Sequence, residues 1–186
     1  MNVNRAGAGV TLAVAFLLAG CSDATPGTTP TSSSTASQTS TPSTSVSATG
    51  TQSDSPEVQA EAAVVAFWAM RDQLASDPKQ GVTKLSDVAR DQALDVHRRS
   101  LNAQAAQGWK QVGLTSVTPQ SATATDKPGE YVVKACINVS KVNIVDSEGK
   151  SQVPPGRPAQ SSYAYKVQRD GEKWFVVQDL LEAKPC

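Results

Sequence analysis

Few side chains in this chain could do chemistry. The one histidine, His97, stands in Asp95-Val96-His97-Arg98-Arg99. An imidazole there could move a proton only with a partner at hydrogen-bond distance. The neighbouring carboxylates Asp91 and Asp95 are not a dedicated partner. On a helix, His97 points sideways from the apolar stripe and is flanked by two arginines, so the expectation is a surface histidine. Arg90, Arg98, Arg99 and Lys110 could form a modest basic patch, read here as a solvated helix face. No GxSxG, SxxK, GxGxxG or Walker A pattern occurs, and HExxH is absent. A single histidine argues against a His-based metal site, so no metal, cofactor or catalytic residue is assigned. The sequence of 186 residues balances 17 basic against 17 acidic residues. That balance argues against a nucleic-acid partner, which a basic face would favour.

The three cysteines carry more information. Residues 1–21 read MNVNRAGAGVTLAVAFLLAGC, with Arg5 ahead of an apolar run from Val10 to Ala19. The run is too short to span a bilayer, which needs about 20 residues. It suits a signal peptide of residues 1–20. Leu18-Ala19-Gly20-Cys21 resembles the lipobox of bacterial lipoproteins. The resemblance implies cleavage before Cys21, a diacylglyceryl group on its sulfur, and a membrane anchor on the extracytoplasmic face.

Residues 21–54 carry that cysteine and a Ser/Thr/Pro-rich stretch whose only charge before Asp54 is Asp23. Such a segment buries too little apolar surface to offset chain entropy and is expected to be a disordered tether. Its root-mean-square span is roughly 30 Å. Its composition is that of mucin-like stalks, and some threonines could carry O-glycans. With Cys21 lipidated, Cys136 and Cys186 remain. An exported chain meets oxidising conditions, so a Cys136–Cys186 disulfide is expected.

Residues 55–186 form the foldable part. Ser55-Pro56-Glu57 is a helix start, and Asp77-Pro78 a stop. Val58, Ala62, Val65 and Ala69 make one stripe and Ala63, Phe67, Met70 and Leu74 another, predicting a helix buried on both sides. A second helix is expected over 86–107, ended by Gly108. Strands follow over 109–117, 131–145, 161–169 and 172–181. Asp170-Gly171 reads as a two-residue hairpin turn that sets Val167 opposite Trp174 and Tyr165 opposite Val176. Asn138-Val139-Ser140 matches a glycosylation acceptor, with little meaning in a bacterial lipoprotein.

Helices followed by an antiparallel four-stranded sheet mean α+β. The lipobox, the Ser/Thr leash, the helix–helix–four-strand order and Trp174-Phe175-Val176-Val177 after Asp170-Gly171 together resemble the small NTF2-like (cystatin-like) lipoproteins of actinobacteria. The resemblance implies N-terminal helices packed in a curved sheet, a cone whose mouth could hold a ligand. Tyr163, Tyr165 and Trp174 are the candidate pocket-lining residues. The expected function is non-catalytic binding of a small apolar ligand or an envelope protein. A polyketide-cyclase-like enzyme and a purely structural envelope component are the alternatives. Phe175 and Val177 could serve a homodimer contact or cover the second helix.

Overall fold

The computed structural model describes residues 55–182 and Cys186. The signal stretch 1–20, Cys21 and the tether to residue 54 lie outside the described residues. The element order is helix α1 (Pro56–Ser76), helix α2 (Asp91–Ala106), then strands β1 (Lys110–Val112), β2 (Ser116–Ala124), β3 (Glu130–Asn138), β4 (Asn143–Val145), β5 (Gln160–Asp170) and β6 (Lys173–Leu181). The domain is α+β. Strands β2-β3-β5-β6 form an antiparallel four-stranded sheet, and β1 pairs with β4 in a small second one.

The Ser55 side chain accepts from Val58 N and Pro56 occupies the first turn of α1. The helix places Ala60, Val64, Phe67, Trp68 and Ala75 in the core against Val133, Ala135, Ile137, Tyr165, Val167 and Val176. These sheet residues alternate along β3 and β5, so one face is apolar. The expectation that α1 is buried on both sides is corrected: Ala62, Val65 and Ala69 face solvent. Alanine is apolar enough to enter a hydropathy stripe yet costs little when exposed.

The second helix is shorter than expected. A 3₁₀ turn covers Thr83–Asp87, and Ala89 then forms a parallel bridge with Val176 of β6, where Val176 N donates to Val88 O and Arg90 N to Val176 O (both 3.0 Å). Leu85 and Ala89 are buried, so the apolar pattern continues through a stretch whose backbone is not helical. Gly108, at φ 69°, turns the chain out of α2.

Two expected strands are divided. The first breaks between β1 and β2 at Gly113, where an added Cβ would overlap the Lys141 carbonyl. Pro119 lies inside β2, an edge strand with a register shift between Pro119 and Ser121. The expected strand over 131–145 splits into β3 and β4 around residues 139–142.

The last hairpin is also corrected. Asp170 pairs with Lys173, so the turn residues are Gly171-Glu172, and Val167 faces Val176, not Trp174. A register shift between Lys166 and Val167 leaves Val177 unpaired and sets Tyr165 opposite Asp179, not Val176. Phe175 and Val177 are buried within the chain itself. The Arg90 guanidinium covers the Phe175 ring at 3.6 Å and pairs with Asp170 at 2.8 Å.

Cys136 and Cys186 form the disulfide, with Cα atoms 5.7 Å apart. Glu182 N donates to Ser162 O, and Ser162 Oγ to Glu182 Oε2. Cys136 pairs with Ser162 across β3–β5, which places Cys186 at the sheet face opposite α1. The bridge closes a separation of 50 residues. Its removal by Cys186→Ser is expected to lower unfolding free energy by roughly 3–4 kcal/mol, read as a lower urea midpoint. An unchanged midpoint would mean that the chain end adds nothing to the sheet.

Candidate functional site

Arg71 and Asp72 interrupt the apolar face of α1, and both are drawn inside. The Arg71 side chain is 15% exposed and the Asp72 side chain 3%. Both oxygens of Asp72 are taken, and Arg71 is held at Nε and Nη1. Asp72 accepts from Gln111 Nε2 (2.7 Å), Thr115 N (2.6 Å) and Thr115 Oγ1 (2.9 Å). Gln111 comes from β1, whose position depends on the tight approach at Gly113, and its Nε2 also contacts Gly113 O at 3.3 Å.

The Arg71 guanidinium donates from Nη1 to Gln111 Oε1 (3.2 Å) and from Nε to His97 Nδ1 (3.2 Å). It lies over the Trp68 ring at 5.1 Å. Burial pulls it down from its ordinary value, against the raising effect of Asp72. A guanidinium starts so high that it remains a cation.

His97 corrects the expectation of a surface residue: it is 7% exposed. The rings of Phe67 and Trp68 stand edge-on to it, at 4.8 and 5.8 Å between centroids. Its Nε2 is 2.8 Å from Asp179 Oδ2. Donation from Arg71 requires the lone pair on Nδ1, so the ring proton sits on Nε2 and points at Asp179. Asp179, His97 and Arg71 form one hydrogen-bonded chain. Burial alone would raise the Asp179 carboxyl; the hydrogen bond from His97 and attraction to that ring outweigh it, and the net shift is downward.

A cavity of about 360 Å³ opens against Arg71. Its apolar wall includes Trp68, Val139, Val142, Ile144 and Leu181. Its polar wall includes Gln104, Arg157, Ser161 and Tyr163. Arg157 Nη2 donates to the Val139 and Val142 carbonyls (2.9 and 2.6 Å), tying its loop to the β3–β4 turn. Gln104 Oε1 is buried with no partner among the described residues. Burial first, then the nearby Asp179 charge, raises the Tyr163 phenol, so it stays a hydroxyl. A larger, more open groove of about 500 Å³ runs past Ser76, Asp77, Lys79 and Lys110, but its charged residues are all exposed. The smaller cavity holds the buried polar groups.

Of the three residues expected to line a pocket, Tyr163 lines this cavity. Tyr165 is fully buried, and Trp68 Nε1 donates to its hydroxyl at 2.8 Å. Trp174 packs on Tyr131 at 5.5 Å and donates to Gln59 Oε1 at 2.9 Å. Asp91 and Asp95 are exposed, and Asp95 pairs with Arg98 at 2.8 Å. Arg71, Asp72, Gln111 and Asp179 were missed. Arg71 had a signal: Val64, Phe67, Trp68, Arg71 and Ala75 share one helical face.

No protein-family profile matches the chain, and no curated protein matches it. Among solved structures, the intermembrane space region of the chloroplast protein ARC6 is similar, with a TM-score of 0.50 at 16% identity over 65% of this chain and 92% of that one. At that identity the likeness is one of fold. A de novo designed β-sheet protein aligns at a TM-score of 0.30 and 12% identity, over 69% of this chain and 88% of that one.

Asp179→Asn keeps the shape and removes the charge. A carboxyl lowered in the folded state adds stability above its ordinary pKa and loses it as acid protonates the folded form. The variant is therefore expected to be about 1–3 kcal/mol less stable at neutral pH. The gap should shrink below about pH 3.9, the ordinary aspartate value. Thermal melts across pH check this; a gap independent of pH would contradict an ionised Asp179 accepting the His97 hydrogen bond.

Proposed function

We propose that this chain is a lipoprotein anchored through Cys21 on the extracytoplasmic face of a membrane, and that its folded domain is a non-catalytic binding module. Residues 1–21 support the anchor, and the disulfide fits an oxidising compartment. We also propose an NTF2-like cone as the finer architecture. The support is α1 packed along the inner face of a sheet bent at two bulges, with an open cavity beside it.

The observation that carries the binding reading is the engagement of His97 at both ring nitrogens. One faces Asp179 and the other accepts from Arg71. An acid–base enzyme needs a free nitrogen or carboxyl facing its substrate. Asp72 has both oxygens occupied, and the raised Tyr163 is a poor base near neutrality. What faces the cavity is a set of donors over an apolar wall, which suits holding a molecule. About 300 Å³ is the lower end of ligand sites, so the volume favours binding over a purely structural part.

Native mass spectrometry of the protein purified from its own membrane tests this reading. The expected mass starts at Cys21, carries acyl chains, lacks the two hydrogens of the disulfide, and includes a retained small molecule released on activation. Intact Met1 with reduced thiols would contradict the anchor, and hydrolysis or rearrangement of the released molecule by the protein would contradict the non-catalytic reading.

A further inference from the structure

We propose that the cavity takes an amphipathic carboxylate, its head on Arg71 and Tyr163 and its hydrocarbon body along Val142, Ile144 and Leu181. The inference rests on the binding reading above and adds the chemistry of the ligand.

The first observation is the spare donor capacity. Arg71 spends Nε on His97 and Nη1 on Gln111, while its Nη2 has no hydrogen-bond partner among the described residues. The Tyr163 hydroxyl likewise makes no hydrogen bond among them, and each group feels the other electrostatically. A guanidinium nitrogen and a hydroxyl offer separate donors to the two oxygens of a carboxylate.

The second observation is where the counter-charges sit. Asp72 and Asp179 balance this region, but neither lines the cavity. Asp72 hydrogen-bonds to Gln111 and Thr115 and lies 3.8 Å from Arg71 Nη1, the nitrogen already spent on Gln111, and Asp179 turns to His97. The lining carries two cations, Arg71 and Arg157, and no carboxylate. An anion meets positive charge first, with the acids screened behind it. Asp179 and His97 hold the guanidinium in place, so little ordering is lost when it binds.

The third observation is size and polarity. Roughly a dozen water-sized atoms fill 360 Å³. That excludes a two-tailed lipid and fits a short acyl or aryl carboxylic acid.

The test titrates the purified full chain with octanoate and with octanamide, its neutral counterpart of the same shape, by calorimetry. Octanoate is expected to bind one to one and at least about tenfold tighter than octanamide, because the charge-assisted bonds are made only by the anion. Tyr163→Phe removes a hydroxyl without a protein partner, so the fold should stand; octanoate should weaken about three- to tenfold and octanamide less. Arg71→Lys should keep part of the preference and Arg71→Met abolish it. Equal binding of the two probes would overturn the carboxylate and leave the cavity as a binding site. Binding of neither would overturn both readings.

Discussion

A cation buried inside a small domain must be held from several sides, and Arg71 is the group around which this fold is arranged. Taking a guanidinium out of water costs several kcal/mol unless partners replace its hydration. Here the replacement comes from distant parts of the chain. Gln111 reaches from β1, His97 from α2, and Asp179 stands behind His97 on β6. Each partner needs its element in register, so the two helices, the small sheet and the large sheet are coupled through one side chain. The Trp68 ring beneath the guanidinium and the edge-on rings around His97 exclude water from the same cluster.

The coupling also decides what the site can do. A histidine beside an aspartate at 2.8 Å has the geometry of an acid–base pair. Arg71 takes the remaining nitrogen, which turns a potential proton carrier into a bracket. The function of the pair passes outward to the cation it steadies. Asp72 does the same from the other side, with its own oxygens committed to Gln111 and Thr115. The result is a rigid donor at the wall of a mainly apolar cavity, an arrangement that recognises more readily than it reacts.

Much of the architecture was legible in the residues. Capping at Ser55, the stop at Pro78, the glycine after α2 and the order of helices before strands all follow from local chemistry, and the two folded-domain cysteines join as a pair. The site was legible in part only. His97 looked exposed because its sequence neighbours are charged, yet Arg98 and Arg99 project away while the imidazole turns in. Asp179 was hidden by alternation: a regular strand would place it with Phe175 and Val177, and the bulge at Val177 moves it opposite Tyr165 on the core face. No local pattern announces that bulge. Beside it, Val176 is hydrogen-bonded to Val88 and Arg90 from the far edge, a tertiary contact that the local sequence does not encode.

The ring of His97 offers the most direct measurement, since it is the only histidine and its nitrogen signals need no assignment. Long-range proton–nitrogen NMR of the ¹⁵N-labelled chain at neutral pH distinguishes the two neutral tautomers and the charged ring. The account predicts a neutral imidazole with its proton on Nε2 and a bare, hydrogen-bonded Nδ1, reverting to a tautomer mixture in Arg71→Met. A proton found on Nδ1 in the unaltered protein would break the link to Arg71 and contradict the account.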